Sequence, residues 1–310
     1  MIYLIFGEDT FRSKLKLKEI IEKYKKRYST ALNVRFFDFN ENSFDDFDLD
    51  FKASQLFFEK KLFVLKGITD NLEFQKKILK EIEKYEKSPH LLIFFVEGNV
   101  SKNTFFEELK KRGQFQEFKP LNEVALETWA INEFKKYGVF VERGVVEKLI
   151  SLIGNDLWRF SEEIKKLVCF CEKRTIKKSD VDSLVKERLE LNVFKTIEAI
   201  SLKDKKLAFK LLNLQIKNGE KEETLFALIK YQFRNLIQIK DLILRGDTIY
   251  QLKMKLNLHP FILNKLVKIA SKFQLDELKK IYNKILNVDV AIKTGRIAPD
   301  LALDFFLINL

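Results

Sequence analysis

Apolar residues in the first 120 positions come in short runs separated by longer stretches of three- and four-residue spacing, the alternation that builds a parallel sheet with helices on its faces. The runs Ile2–Phe6, Val34–Phe39, Lys61–Leu65, Leu91–Val96 and Phe115–Phe118 predict strands. Between them the spacing predicts helices over Thr10–Tyr28, Phe51–Phe58, Asn71–Tyr85 and Asn103–Lys111. Leu91 to Val96 is apolar at every position, which suits a strand covered on both faces and puts it at the centre of the sheet. After Pro120 the strand signals stop and the period is helical to Leu310. Leu157, Phe160, Ile164, Leu167, Val168 and Cys171 share one face behind the Asn155-Asp156 cap signal, with Glu162 and Lys166 paired on the wet side. Leu225 to Lys240 traces a long helix and Leu275 to Ile292 another, stopped by Gly295 and Pro299. With a further boundary near Leu189–Asn192, the reading is an α/β domain over 1–120 and two all-α domains over 121–190 and 191–310.

Composition changes this picture little. At 46% hydrophobic and 33% charged, with 10 Gly and 4 Pro, the chain has the apolar mass to fold and is neither collagenous nor a disordered tail. Charge adds more, since residues 191–310 hold +9 of the net +12. That surplus permits contact with nucleic acid or an acidic partner, but the lysines are scattered, and solvated helix faces account for them better. Only Cys169 and Cys171 are present, which excludes a secreted disulfide framework and suits the cytoplasm. The opening Met1 to Phe6 runs into Gly7-Glu8-Asp9 and reads as a buried strand, not a signal peptide. No apolar run approaches the ~20 residues of a membrane span, so the chain reads as soluble.

A first strand ending in glycine invites a nucleotide, so Gly7-Glu8-Asp9-Thr10-Phe11-Arg12-Ser13-Lys14 is the segment to test. A phosphate loop needs G-x-x-x-x-G-K-[ST], which surrounds phosphates with backbone N–H groups and a lysine. Here the second glycine is missing and two carboxylates stand where phosphates would lie; Asp9 or Thr10 as a helix cap is the better account. Glu97, at the end of the central strand, is a lone acid where a magnesium-dependent ATPase offers a pair, and reads as a solvated strand-end carboxylate. His90 and His259 fall in different domains, and Cys169 and Cys171 point about 200° apart on a helix, so no metal set converges. No catalytic group, cofactor site or metal site is predicted.

Ser54-Gln55-Leu56-Phe57-Phe58-Glu59-Lys60-Lys61 stands out instead. Helix neighbours are about 100° apart, so Leu56, Phe57 and Phe58 fan over most of the circumference and cannot all enter one core. An exposed aliphatic-aromatic pair there has the form of a protein–protein anchor. On pattern alone, the three closing the gap between sheet and lid is the better account.

The whole chain resembles the delta subunit family of the bacterial DNA polymerase III clamp loader. The resemblance rests on Ile2 to Asp9, Leu56 to Val64, Gly154 to Leu157, Asp180 to Val185, Val193-Phe194, Gln232 to Leu236 and Asp289 to Gly295, in order across all 310 residues. It implies an AAA+-like α/β N-terminal domain that binds no ATP, an all-α lid domain and an all-α collar domain that joins a ring of loader subunits. It implies that the short helix before the third strand meets the beta sliding clamp through Leu56 and Phe57 and helps open that ring. Ser54 is the third matching position, where some relatives carry a larger apolar residue. Gln232, Phe233, Arg234 and Lys293 fall in segments that suit inter-subunit collar contacts, or equally core packing and a helix cap. Implied partners are the clamp, the delta-prime and tau/gamma loader subunits and primed DNA within the assembly, with no membrane. No intrinsic catalysis is implied, only a place in a DNA-directed DNA polymerase. The four-cysteine zinc module and Ser-Arg-Cys run usual in delta-prime are absent. A degenerate AAA+ ATPase and a free-standing nucleic-acid-binding protein are the rival readings.

Overall fold

The computed structural model describes residues 1–28, 33–56, 60–100, 102–172, 174–186, 189–256, 258 and 260–309. They form two compact units, Met1–Leu121 and Asn122–Leu310.

The first unit runs β1 (Ile2–Phe6), α1 (Thr10–Tyr28), β2 (Val34–Asp38), α2 (Phe44–Leu56), β3 (Leu62–Lys66), α3 (Leu72–Lys80), α4 (Ile82–Lys87), β4 (Leu91–Phe95), α5 (Thr104–Arg112) and β5 (Gln114–Glu117). All strand pairs are parallel, in the order β2-β3-β4-β1-β5, so β4 is central as its unbroken apolar run predicts. Alternate residues of each strand serve two cores. Leu62, Val64, Ile93 and Phe95 pack with Leu17 and Tyr24 of α1. Phe63, Leu65, Leu92 and Phe94 face the other way, onto Phe47 and Phe51 of α2, Phe74 and Ile78 of α3, Tyr85 of α4 and Phe105 and Phe106 of α5.

Two helices depart from the expected spans. The second begins at Phe44, not Phe51. Its first turn looks like an acidic loop, but Ser43 and Asp46 cap each other through Oγ and the carboxylate at 2.7 Å, and acids favour the positive end of a helix. Phe47 and Phe51 are then buried, and the partly buried Phe44 packs against the same core. The expected Asn71–Tyr85 helix is two helices broken at Glu81, whose backbone leaves the helical region.

The second unit contains α6 (Glu123–Lys136), α7 (Val145–Ile153), α8 (Leu157–Cys171), α9 (Lys178–Leu184), α10 (Leu189–Ser201), α11 (Lys205–Lys217), α12 (Glu222–Leu244), α13 (Ile249–Leu256), α14 (Pro260–Ala270), α15 (Leu275–Lys293) and α16 (Ala302–Ile308). The helical period is interrupted once among the described residues, by a parallel bridge between Val141 and Ile176. Asp156 caps α8 by accepting from the Arg159 N–H, and Cys171 is buried while Cys169 is exposed. The expected Glu162 and Lys166 pair is replaced by two i,i+3 pairs, Glu162 with Lys165 and Glu163 with Lys166. One continuous apolar cluster joins α10, α11, α12, α14, α15 and α16 around Phe194, Phe233, Phe273 and Phe306. No helix among the described residues is long and apolar enough to cross a membrane.

Phe47 is fully buried and Leu49, two residues on, is 68% exposed. Phe47→Ala is expected to lower unfolding free energy by about 3–5 kcal/mol, and Leu49→Ala by less than about 0.5 kcal/mol, as read by urea midpoints. Equal effects would show that α2 is seated differently.

Candidate functional site

Two places on the first unit carry candidate chemistry: the turn after β1 and the corner between α2 and β3. Gly7 leaves β1 at φ +134°, and a Cβ there would sit 2.2 Å from the Phe118 carbonyl oxygen. Only glycine lets the segment after β5 come so close. Gly7 and Gly98 exchange backbone hydrogen bonds at 2.8 and 3.1 Å, and the Asp9 N–H donates to Phe118 O at 3.0 Å. The buried Asp9 carboxylate accepts from the Arg12 N–H at 2.9 Å and from the Arg12 guanidinium, which also donates to the Lys119 carbonyl. Anion binding at a helix N-terminus needs unused N–H groups. Here those of Asp9, Thr10, Arg12 and Ser13 all have acceptors in the chain, and a carboxylate lies among them. The turn is a structural joint, with Asp9 as its cap. Glu97, expected to be solvated, is half-exposed and pairs with Lys14 at 2.9 Å. A crevice of about 560 Å³ at the ends of β2, β3 and β4 is lined by Asp38, Asp70 and Glu97 against one cation, Lys66.

The α2–β3 corner lies at the opposite edge of the sheet, where strands begin. Phe57 lies outside the described residues, and Ser54 and Leu56 are described as backbone positions in the last turn of α2. What flanks them is held firmly. Phe51 is fully buried, with its ring 4.9 Å from Tyr85 and 5.1 Å from His90. Asp50 receives both Lys61 at 3.0 Å and Arg35 at 2.7 Å, tying the helix to β3 and β2. After the corner, the Tyr24 hydroxyl donates to the Lys60 carbonyl at 2.6 Å, and the Lys61 N–H donates to His90 Nδ1 at 3.1 Å. Burial pushes the Tyr24 hydroxyl up to about 12, so it stays a donor. Burial first, and then the Lys61 charge, push His90 down to about 4, so the imidazole is a neutral acceptor wedged between Phe51 and Phe63. The sequence singled out the run 54–61 but missed the residues that pin it: His90, Tyr24 and Asp50 come from three other segments.

In the second unit, Gln232 and Phe233 point inward, both buried, with Phe233 6.2 Å from the Phe273 ring and 6.3 Å from the Phe306 ring. Core packing, one of the two roles the sequence left open, is what these side chains do, because α12 turns this face to the cluster. Arg234 is exposed and lies 5.2 Å over the Tyr231 ring. Lys293 is exposed and shares Asp289 with Lys230, at 3.0 and 2.8 Å. His259 lies outside the described residues. No group of three or more His, Cys, Asp or Glu side chains converges on a metal-sized site among the described residues.

Comparison with known proteins bears on both units. The family model described as DNA polymerase III, delta subunit matches residues 3–119, and the one described as DNA polymerase III delta subunit, C-terminal domain matches residues 190–310. The DNA polymerase III subunit delta of Bacillus subtilis (strain 168) is 25% identical over all of this chain and 92% of its own length. The probable DNA polymerase III subunit delta of Aquifex aeolicus (strain VF5) is 23% identical over 79% of this chain and 72% of its own. The solved structure of the Bacillus subtilis DNA clamp loader delta protein superposes with a TM-score of 0.76 at 24% identity, covering 99% of this chain and 94% of that one.

The buried imidazole makes the corner pH-sensitive. The unfolded chain binds a proton at His90 near pH 6.5 and the folded chain only near 4, so this stabilisation is complete above 6.5 and is lost as pH falls toward 4. Between pH 7 and 4.5 the wild type is expected to lose about 2 kcal/mol more than His90→Gln, measured by urea unfolding. Parallel losses in the two proteins would show that His90 is not buried and neutral.

Proposed function

The chain belongs to the DNA polymerase III delta-subunit family, and from that premise we propose that it works as a clamp-loader subunit that grips the beta sliding clamp through Leu56 and Phe57. The observation that carries this reading is the orientation of α2. Phe47 and Phe51 lock one face into the core, while Leu49 on the outer face is 68% exposed. Position 56 follows Leu49 by seven residues, two helical turns, and so lies above it on the outer face of the backbone. Position 51 is about 140° away round the helix. An apolar run that continues from a helix so fixed in rotation, with Asp50 before it tied to Lys61 after it, suits insertion into a partner's pocket.

Mechanically, such a grip opens a ring only as far as it binds the open or relaxed form more tightly than the closed one. Nothing in this action needs bond chemistry from the chain. The sealed turn at Gly7 and Phe118 supports a subunit whose nucleotide-dependent control lies in its neighbours. Residues 121–190 and 191–310 serve as lid and collar in this reading. The collar meets delta-prime and tau/gamma subunits through exposed side chains such as Arg234 and Lys293, with Gln232 and Phe233 supporting them from the core. Primed DNA is reached within the assembled complex.

Titration of purified clamp into wild type and a Leu56→Ala/Phe57→Ala variant tests the grip. Truncating both side chains is expected to weaken binding about 30- to 1000-fold, or ~2–4 kcal/mol, and Ser54→Ala by far less. Equal affinity of the double variant and wild type would reject the site. Measurable ATP binding by the isolated chain would favour the degenerate ATPase.

A further inference from the structure

Beside the α2–β3 corner, the last turns of α1 and the start of β4 enclose a second concavity of about 320 Å³. Ile20, Tyr24, Tyr28 and Leu91 give it apolar walls, with the two tyrosine rings 4.6 Å apart. Among the described residues its charged side chains are Lys23, Arg27 and Lys60, and none of those that line it is a carboxylate. Lys23 is already engaged by Glu19 at 2.5 Å. Arg27 and Lys60 are both exposed, and among the described residues neither is paired with a carboxylate. A partner that fills such a place carries an apolar side chain with a carboxylate beside it.

The pocket is also close to the proposed grip. Three peptide links join Phe57 to Lys60, so their Cα atoms are at most about 11 Å apart. An ordinary interface covers about 800 Å² on each partner, enough to include both places.

We propose that this pocket is a second docking point for the sliding clamp, taking an acidic, apolar-bearing segment of that ring against Tyr24 and Tyr28 with its carboxylate between Arg27 and Lys60. The inference rests on the reading of Leu56 and Phe57 as the clamp contact. A nucleic-acid backbone fits less well, since phosphates call for cations but leave apolar walls unfilled. Lys25, Lys26 and Arg27 also complement the negative end of α1. That role needs charge near the last turn and not charge in the pocket, so Lys25, which does not line it, is the control.

The test is calorimetric titration of purified clamp into full-length chain at low and at physiological ionic strength. Arg27→Glu and Lys60→Glu are each expected to weaken binding at least ~10-fold at low ionic strength, and Lys25→Glu less than ~3-fold. Arg27 and Lys60 are exposed, so unchanged thermal midpoints check that the variants fold. If the Leu56→Ala/Phe57→Ala variant loses affinity while the Arg27 and Lys25 reversals behave alike, the pocket proposal fails and the grip stands. If wild type does not bind clamp at all, the grip fails and the pocket proposal with it. If Arg27→Glu weakens binding of a fluorescein-labelled single-stranded oligonucleotide and leaves the clamp titration unchanged, the pocket serves nucleic acid and the proposal is overturned.

Discussion

A helix can offer its end to a partner only if it cannot roll, and in this chain that depends on two phenylalanines. Phe47 and Phe51 are fully buried one turn apart, among Phe63, Tyr85 and His90. Turning α2 by one residue would carry both rings toward solvent at a cost of roughly 3–6 kcal/mol. That is comparable to the whole stability of a marginal domain. The ion pair of Asp50 with the half-exposed Arg35 is worth much less, about 0–1 kcal/mol, and in the more buried pair with Lys61 desolvation offsets much of the attraction. Their contribution is direction: they set where β3 resumes after the corner, while the aromatic seat supplies the holding energy.

The two edges of the parallel sheet have been put to different uses. In open α/β sheets ligands lie outside the carboxyl ends of the strands, where helix N-termini point. This chain spends that edge on internal closure. The Phe118 carbonyl takes the amide that would face a phosphate, and Arg12 is committed to Asp9 and the Lys119 carbonyl. Carboxylates then dominate the remaining crevice, which repels anions further. At the other edge the pinned corner and the cationic pocket lie side by side through Lys60. The closed turn and the pinned corner lie at opposite ends of the same strands, so neither constrains the other.

In the helical unit, apolar packing and charge divide the work in a similar way. Glu198, Asp241, Asp247, Asp276 and Asp289 each pair with lysine or arginine. The cluster around Phe194, Phe233 and Phe306 holds the helices together. Asp180 is the exception. Arg174 grips it with two 2.7 Å hydrogen bonds and the Lys177 N–H adds a third, which holds its carboxyl well below the usual carboxylate range. It fixes the start of α9.

Legibility followed the range of the interaction. Strand positions, the centrality of β4 and the long helices α12 and α15 were readable because burial imposes a period on neighbouring residues. The start of α2 was not, because the Ser43 and Asp46 cap is polar and the stripe of Phe44, Phe47 and Phe51 is diluted by acids. The absence of a phosphate loop was legible from missing glycines, but its physical replacement was not, since Phe118 lies more than a hundred residues from Gly7. The same limit hid the pocket. Ile20, Tyr24 and Arg27 read as one ordinary amphipathic helix, Lys60 as a loop lysine and Leu91 as the beginning of a buried strand. Each is unremarkable in its own period. Only the parallel register, which sets the starts of β3 and β4 side by side, brings an apolar wall and exposed cations to one place.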